Sequence, residues 1–111
     1  MDATFALAGL VEEFSQLLED GDFAGGEELL TGALGSCRQG ARAGAGGPSL
    51  EEAFLHLQFG KLYGQWNKLS SSLNHLTLAA EIAHSRADSF LLLQIQTELR
   101  QVRHRQKDQK P

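Results

Sequence analysis

The stretch "LHLQFGKLYGQWNKLSSSLNHLTLAAEIA", Leu55 to Ala83, places aromatic and aliphatic residues at helical spacing around a single glycine, Gly60. Glycine is poor in a helix interior, costing roughly 1 kcal/mol relative to alanine, so a glycine in this position calls for a packing reason. Working outward, apolar residues recur at i, i+3, i+4, i+7 along most of the chain, and no segment alternates with period two as a half-buried strand does. The reading is all-α, with about five helices in antiparallel helix-turn-helix order.

The first helix is expected over about Thr4 to Glu19, with Leu7, Leu10, Val11, Phe14, Leu17 and Leu18 on one face. "EDGD" ends it: Gly21 suits the left-handed conformation that closes a helix, and Asp22 suits the cap of the next. A second helix follows over about Phe23 to Cys37. The segment "RQGARAGAGGP", Arg38 to Pro48, is rich in glycine and alanine. It offers too little apolar area to offset its ordering entropy, and reads as a flexible internal loop at 38–48. "PSLEE" then starts a third helix, with Ser49 and Glu52 in capping-box spacing, running to about Trp66. A fourth is expected over about Ser71 to His84. The fifth, over about Ala87 to Lys107, is introduced by Ser85 and Asp88 and buries Phe90, Leu93, Ile95, Leu99 and Val102. Residues 103–111 form a basic tail.

The 111 residues are the length of one domain, and 41% hydrophobic with 22% charged content is ordinary for a globular chain. The net charge of −4 conceals a polarity. Eight acidic residues and no lysine or arginine lie between Met1 and Gly35, whereas Arg100, Arg103, Arg105, Lys107 and Lys110 face only Asp108 beyond residue 99. No apolar run approaches the roughly 20 residues of a membrane span. The acidic amino terminus is unlike a secretory leader, and Cys37 is the only cysteine, so the expected compartment is the cytoplasm or nucleus.

Signals for chemistry are sparse. His56, His75, His84, His104 and Cys37 lack the tight pair spacing of zinc sites, so neither a metal nor a cofactor is expected. Glu12 with Glu13, and Glu27 with Glu28, point about 100° apart on a helix and do not converge as an acid/base pair. "GAGG" lacks the strand and lysine of a phosphate loop. Tyr63 and Trp66, beside leucines at a helix end, read as core. The chain is expected not to be an enzyme and to have no small-molecule substrate.

Internal repetition answers the question raised by Gly60. Gly60 and Tyr63, followed by Ser72, Leu76 and Ala79, resemble a tetratricopeptide repeat. In that family a small residue on the first helix admits the second helix, and a large aromatic one turn later fills the space beside it. Upstream, "DGDFAGGEELLTGAL" resembles the second half of such a unit through Gly21, Asp22, Phe23, Gly26, Leu30, Ala33 and Leu34; Phe14 and Leu17 stand where the second unit has Gly60 and Tyr63. The units are 46 residues apart rather than about 34, an excess matching the loop at 38–48.

The resemblance implies a non-enzymatic scaffold or adaptor that holds a peptide or helix in a groove lined by first helices, here including Phe54, Leu57, Gln58 and Lys61. The lysine and asparagine clamp for a terminal carboxylate is absent at matching positions. Separately, "FLLLQI" spans nearly every direction around its helix, and some of Leu91, Leu92 and Ile95 are expected to face a partner unless the acidic first helix folds back over them. The alternative is an obligate small subunit of a larger helical assembly, as an oligomer or hetero-complex. A second alternative is a nucleic-acid binder acting through the basic tail, for which cations without interleaved aromatics give thin support.

Overall fold

The computed structural model describes residues 3–41 and 49–108, with side chains at 9–38 and 49–108. Among them the chain forms five α-helices: α1 Ala3–Glu19, α2 Phe23–Ala41, α3 Leu50–Gln65, α4 Leu69–Ser85 and α5 Ser89–Asp108. None is long and apolar enough to cross a membrane.

Three of the four connections are one tight device repeated. The amide of Gly21 donates to Leu18 and that of Asp22 to Leu17; Asn67 donates to Gly64 and Lys68 to Tyr63; Ala87 donates to His84 and Asp88 to Ala83. These are Schellman closures, and each needs a left-handed residue, supplied by Gly21 at φ 75°, Asn67 at φ 61° and Ala87 at φ 57°. Two of the turns then cap the following helix: Asp22 Oδ1 accepts from the Gly25 amide at 2.9 Å and Asp88 Oδ1 from the Leu91 amide at 3.0 Å. For α5 this corrects the expected start. Asp88 is the cap, while the Ser85 hydroxyl donates back to the Ile82 carbonyl at 2.9 Å inside α4.

At the head of α3, Ser49 Oγ accepts from the Glu52 amide at 3.2 Å, one half of the expected capping box. The Glu52 carboxylate does not close the other half. It reaches Arg38 Nε at 3.3 Å and His56 Nε2 at 3.6 Å. Arg38 is therefore not loop: α2 continues to Ala41, and the remainder of the expected loop, 42–48, lies outside the described residues. The basic segment is likewise helical as far as Asp108.

Contacts fix the directions. Cys37 Sγ lies 3.4 Å from Ser49 Oγ at one end of the α2–α3 pair, and the Phe23 and Trp66 rings lie 5.7 Å apart at the other, so these helices are antiparallel. With tight reversals at 20–22, 66–68 and 86–88, α1, α3 and α5 run one way and α2 and α4 the other. Helix α3 is central and buried on nearly every side. Leu55, Phe59 and Leu62 join Phe14 and Leu30 in one core, while Ala53 and Leu57 join Leu76, Ala79, Ile95, Leu99 and others in a second. A helix clothed in neighbours needs no polar face, which explains its apolar residues all round.

Gly60 is the contact point of α3 and α4. A Cβ there would stand 2.5 Å from Leu76 Cγ and closer still to Cδ2, and Leu76 is fully buried. The same approach lets Ser72 Oγ donate to the Gly60 carbonyl at 2.7 Å. In the α1–α2 hairpin the small and large residues are exchanged: Phe14 occupies the first helix and Gly26 the second, where a Cβ would lie 3.3 Å from Phe14 Cε1. The hairpins share the 46-residue offset of their turns, from Leu17 to Tyr63 and from Gly21 to Asn67.

Gly60→Ala is expected to lower the urea midpoint by the equivalent of about 1–2 kcal/mol, because overpacking against Leu76 outweighs the roughly 1 kcal/mol gain in helix propensity. Gly32→Ala, exposed in α2 with nothing within 4 Å of the added methyl, is the control, expected to gain about 0.5–1 kcal/mol. Shifts of the same sign in both variants would show that close approach is not the role of Gly60.

Candidate functional site

Parallel α1, α3 and α5 leave a groove of about 560 Å³ whose floor is α3. The α1 wall carries Val11, Phe14, Ser15 and Leu18; the floor carries Phe54, Leu57, Gln58, Lys61 and Gln65; the α5 wall carries Gln94, Thr97 and Glu98. The groove continues past Gly60 and Gly64 into a depression of about 190 Å³ bounded by Gln101 and Arg105. There Arg105 Nη1 donates to the Gly64 carbonyl at 2.9 Å, so one of the tail cations caps the end of α3.

The four groove residues expected from the sequence, Phe54, Leu57, Gln58 and Lys61, come together here. Leu57 and Gln58 are nearly covered, and Phe54 and Lys61 are half-buried. The three expected on α5 do not join them. Leu91 and Ile95 are turned into the core with α4, and Leu92 is half-buried against it. The stripe Leu91, Ile95, Leu99, Val102 has the i, i+4, i+8, i+11 spacing of one helix face, and α4 covers it. The opposite correction applies to Phe90 and Leu93, expected in the core: they are 73% and 57% exposed. Ser15, Gln94, Thr97 and Glu98 were missed. Their signal is the polar stripe Gln94, Thr97, Glu98, Gln101 beside the apolar one, visible once α5 is treated as a wall of the groove.

The groove chemistry is nearly neutral. In the main groove Lys61 and Glu98 contribute one charge of each sign, and Gln58, Gln65 and Gln94 contribute amides that both donate and accept; the adjoining depression adds Gln101 and Arg105, the latter engaged with the Gly64 carbonyl. That set matches the donors and acceptors of a polypeptide main chain, while Val11, Phe14 and Leu18 supply an apolar wall.

The opposite face of α3 is an aromatic layer. His75 of α4 stacks on Phe59 at 4.6 Å and Tyr63 at 5.4 Å between centroids. Tyr63 continues to Trp66, and Trp66 to Phe23 of α2. The Tyr63 hydroxyl donates to Glu27 Oε2 at 2.6 Å; burial first, and then this carboxylate, push the phenol up to about 12. His56 Nδ1 and His75 Nδ1 lie 2.9 Å apart, a bond that requires one ring to donate and the other to accept. Burial lowers both rings from the usual 6.5, His75 to about 4 with His56 adding to the effect. At His56 the Glu52 carboxylate opposes the lowering and Arg38 adds to it. Among the described residues no three metal-ligating side chains converge.

No family model matches the chain, and no curated protein or solved structure matches it significantly.

Because the folded pKa of His75 is depressed, the unfolded chain takes up the proton first. The contribution of His75 to stability is therefore expected to be full above pH 6.5 and to decline as pH falls from 6.5 toward 4. Allowing for the partial exposure of the ring, the loss is on the order of 1–2 kcal/mol, measured as the urea midpoint at the two ends of that window. His75→Phe is expected to be less stable at neutral pH but to show a shallower acid slope; an unchanged slope would mean that another group controls it.

Proposed function

We propose that the chain is a non-enzymatic protein-interaction module of tetratricopeptide-like design, holding a peptide segment of a partner protein along the groove of α1, α3 and α5. One observation carries the reading: three parallel helices place an apolar wall, a recessed floor and a row of glutamine amides around one channel. An extended peptide brings unpaired main-chain groups that such amides satisfy, whereas a helical ligand has already paired its own. The 46-residue repetition of the turns and the small-against-large contacts at Gly60 and Gly26 support the repeat design. The near-neutral lining favours a peptide recognised by shape and main chain rather than by a terminal carboxylate. The exposure of Phe90 and Leu93 favours a second reading, membership of a larger assembly, through a different surface.

The test is selection of a displayed random-peptide library on the wild-type chain, followed by fluorescence anisotropy on the enriched peptides. Ser15→Trp with Gln94→Trp fills the channel from two exposed positions on opposite walls and leaves both cores alone. The expected result is a loss of at least about tenfold in affinity, roughly 1.4 kcal/mol or more, with an unchanged melting temperature. Enriched peptides that bind the double variant equally well would show that the groove is not their site.

A further inference from the structure

The outer face of α5 bears the exposed Phe90 and Leu93 and, further along, the exposed Arg100, Arg103 and Lys107. A shallow depression along this face is lined by Leu93, Gln96, Leu99, Arg100 and Arg103. The opposite end of the molecule is α1, whose exposed face bears Glu12, Glu13, Gln16 and Glu19, with Asp20 in the turn that follows. Each helix has its interior neighbours on one side only, and their outer faces carry opposite charge.

The match extends to register. Leu93, Arg100 and Lys107 recur at intervals of seven along α5, and Glu12 and Glu19 stand seven apart along α1. Residues seven apart on a helix fall within about 20° of one another, so each set forms one stripe. The α5 stripe runs from apolar at Leu93 to basic at Arg100 and Lys107, and the α1 stripe is acidic. Laid side by side, the cations of α5 meet the anions of α1: in a parallel alignment Arg100 meets Glu12 and Lys107 meets Glu19. An antiparallel alignment pairs the same charges with partners exchanged, Arg100 with Glu19 and Lys107 with Glu12.

We propose that the chain self-associates head to tail, the basic outer face of α5 in one copy docking on the acidic outer face of α1 in the next. The two surfaces differ, so the contact is heterologous and propagates into open chains unless its rotation closes a ring. It leaves the groove of α1, α3 and α5 free, and does not depend on what that groove holds. Exposed ion pairs are individually weak and screened by salt, so the association is expected to be concentration-dependent and salt-sensitive.

The experiment is sedimentation velocity on the full chain up to about 500 µM, in salt of about 50 mM and about 500 mM, where the Debye length falls severalfold. Wild type is expected to gain mass with concentration at low salt and to lose most of that gain at high salt. Leu93→Asp is expected to weaken association at least about tenfold. Arg100→Glu with Lys107→Glu makes both end faces acidic, and Glu12→Lys with Glu19→Lys makes both basic. Each variant alone is expected to be monomeric and helical by circular dichroism, and an equimolar mixture is expected to associate again because both junctions become complementary. A monomeric wild type at low salt overturns the proposal, as does association that survives either reversal, or a mixture of folded variants that stays monomeric. A labelled single-stranded oligonucleotide bound by a monomeric wild type and lost in Arg100→Glu with Lys107→Glu would assign the basic stripe to nucleic acid and overturn it as well.

Discussion

The backbone of α3 passes against the side chains of α4 at Gly60, and the rest of the arrangement follows from that closeness. Leu76 occupies the volume where a Cβ would stand, and Ser72 reaches the Gly60 carbonyl. A helix drawn this near to its partner has side chains to spare on its other faces, and α3 uses them twice: Leu55, Phe59 and Leu62 toward α1 and α2, Ala53 and Leu57 toward α4 and α5. One glycine thus lets a 16-residue helix serve two cores, which is how a short chain wraps four helices around a fifth. The hydroxyl of Ser72 is fully buried and would be costly there unpaired; its bond to a helix carbonyl makes a serine acceptable where an alanine would also fit.

Local chemistry carried much of this fold in the sequence. Gly21, Asp22, Ser49 and Asp88 mark helix ends through interactions within six residues, and such signals survive without tertiary knowledge. Asn67 and Ala87 were harder to read, because a left-handed alanine is uncommon and only the repeated pattern of closing bonds shows that Ala87 does the work of Gly21. The faces of α5 were misjudged for a different reason. Four successive apolar residues give no preferred direction, so the choice of Leu91 and Ile95 over Phe90 and Leu93 is made by the position of α4, a long-range fact.

The groove was half legible. Phe54, Leu57, Gln58 and Lys61 could be assigned because α3 could be assigned as a first helix. The walls could not, since Ser15 and Gln94 are ordinary exposed polar residues whose meaning comes from facing each other across α3. The paired histidines were also hidden: His56 and His75 are 19 residues apart and meet only because Gly60 brings their helices together.

Groove geometry is set from the far side of the molecule. The α1 wall belongs to one hairpin and the floor to the next, so their separation depends on how α2 sits against α3. That junction is fastened by polar contacts at both ends: Arg38 to Glu52 and Cys37 to Ser49 at one, Tyr63 to Glu27 beside the Phe23–Trp66 stack at the other. Beside the second of these lies Gly26, which lets Phe14 and Leu62 close over α2. The aromatic layer and the glutamine channel are therefore two faces of one lever, with α3 as its fulcrum. A shift of α2 along α3 at the Tyr63–Glu27 end moves Phe14 and Leu18 relative to Gln58 and Lys61, because α1 is carried on α2 through the tight turn at Gly21.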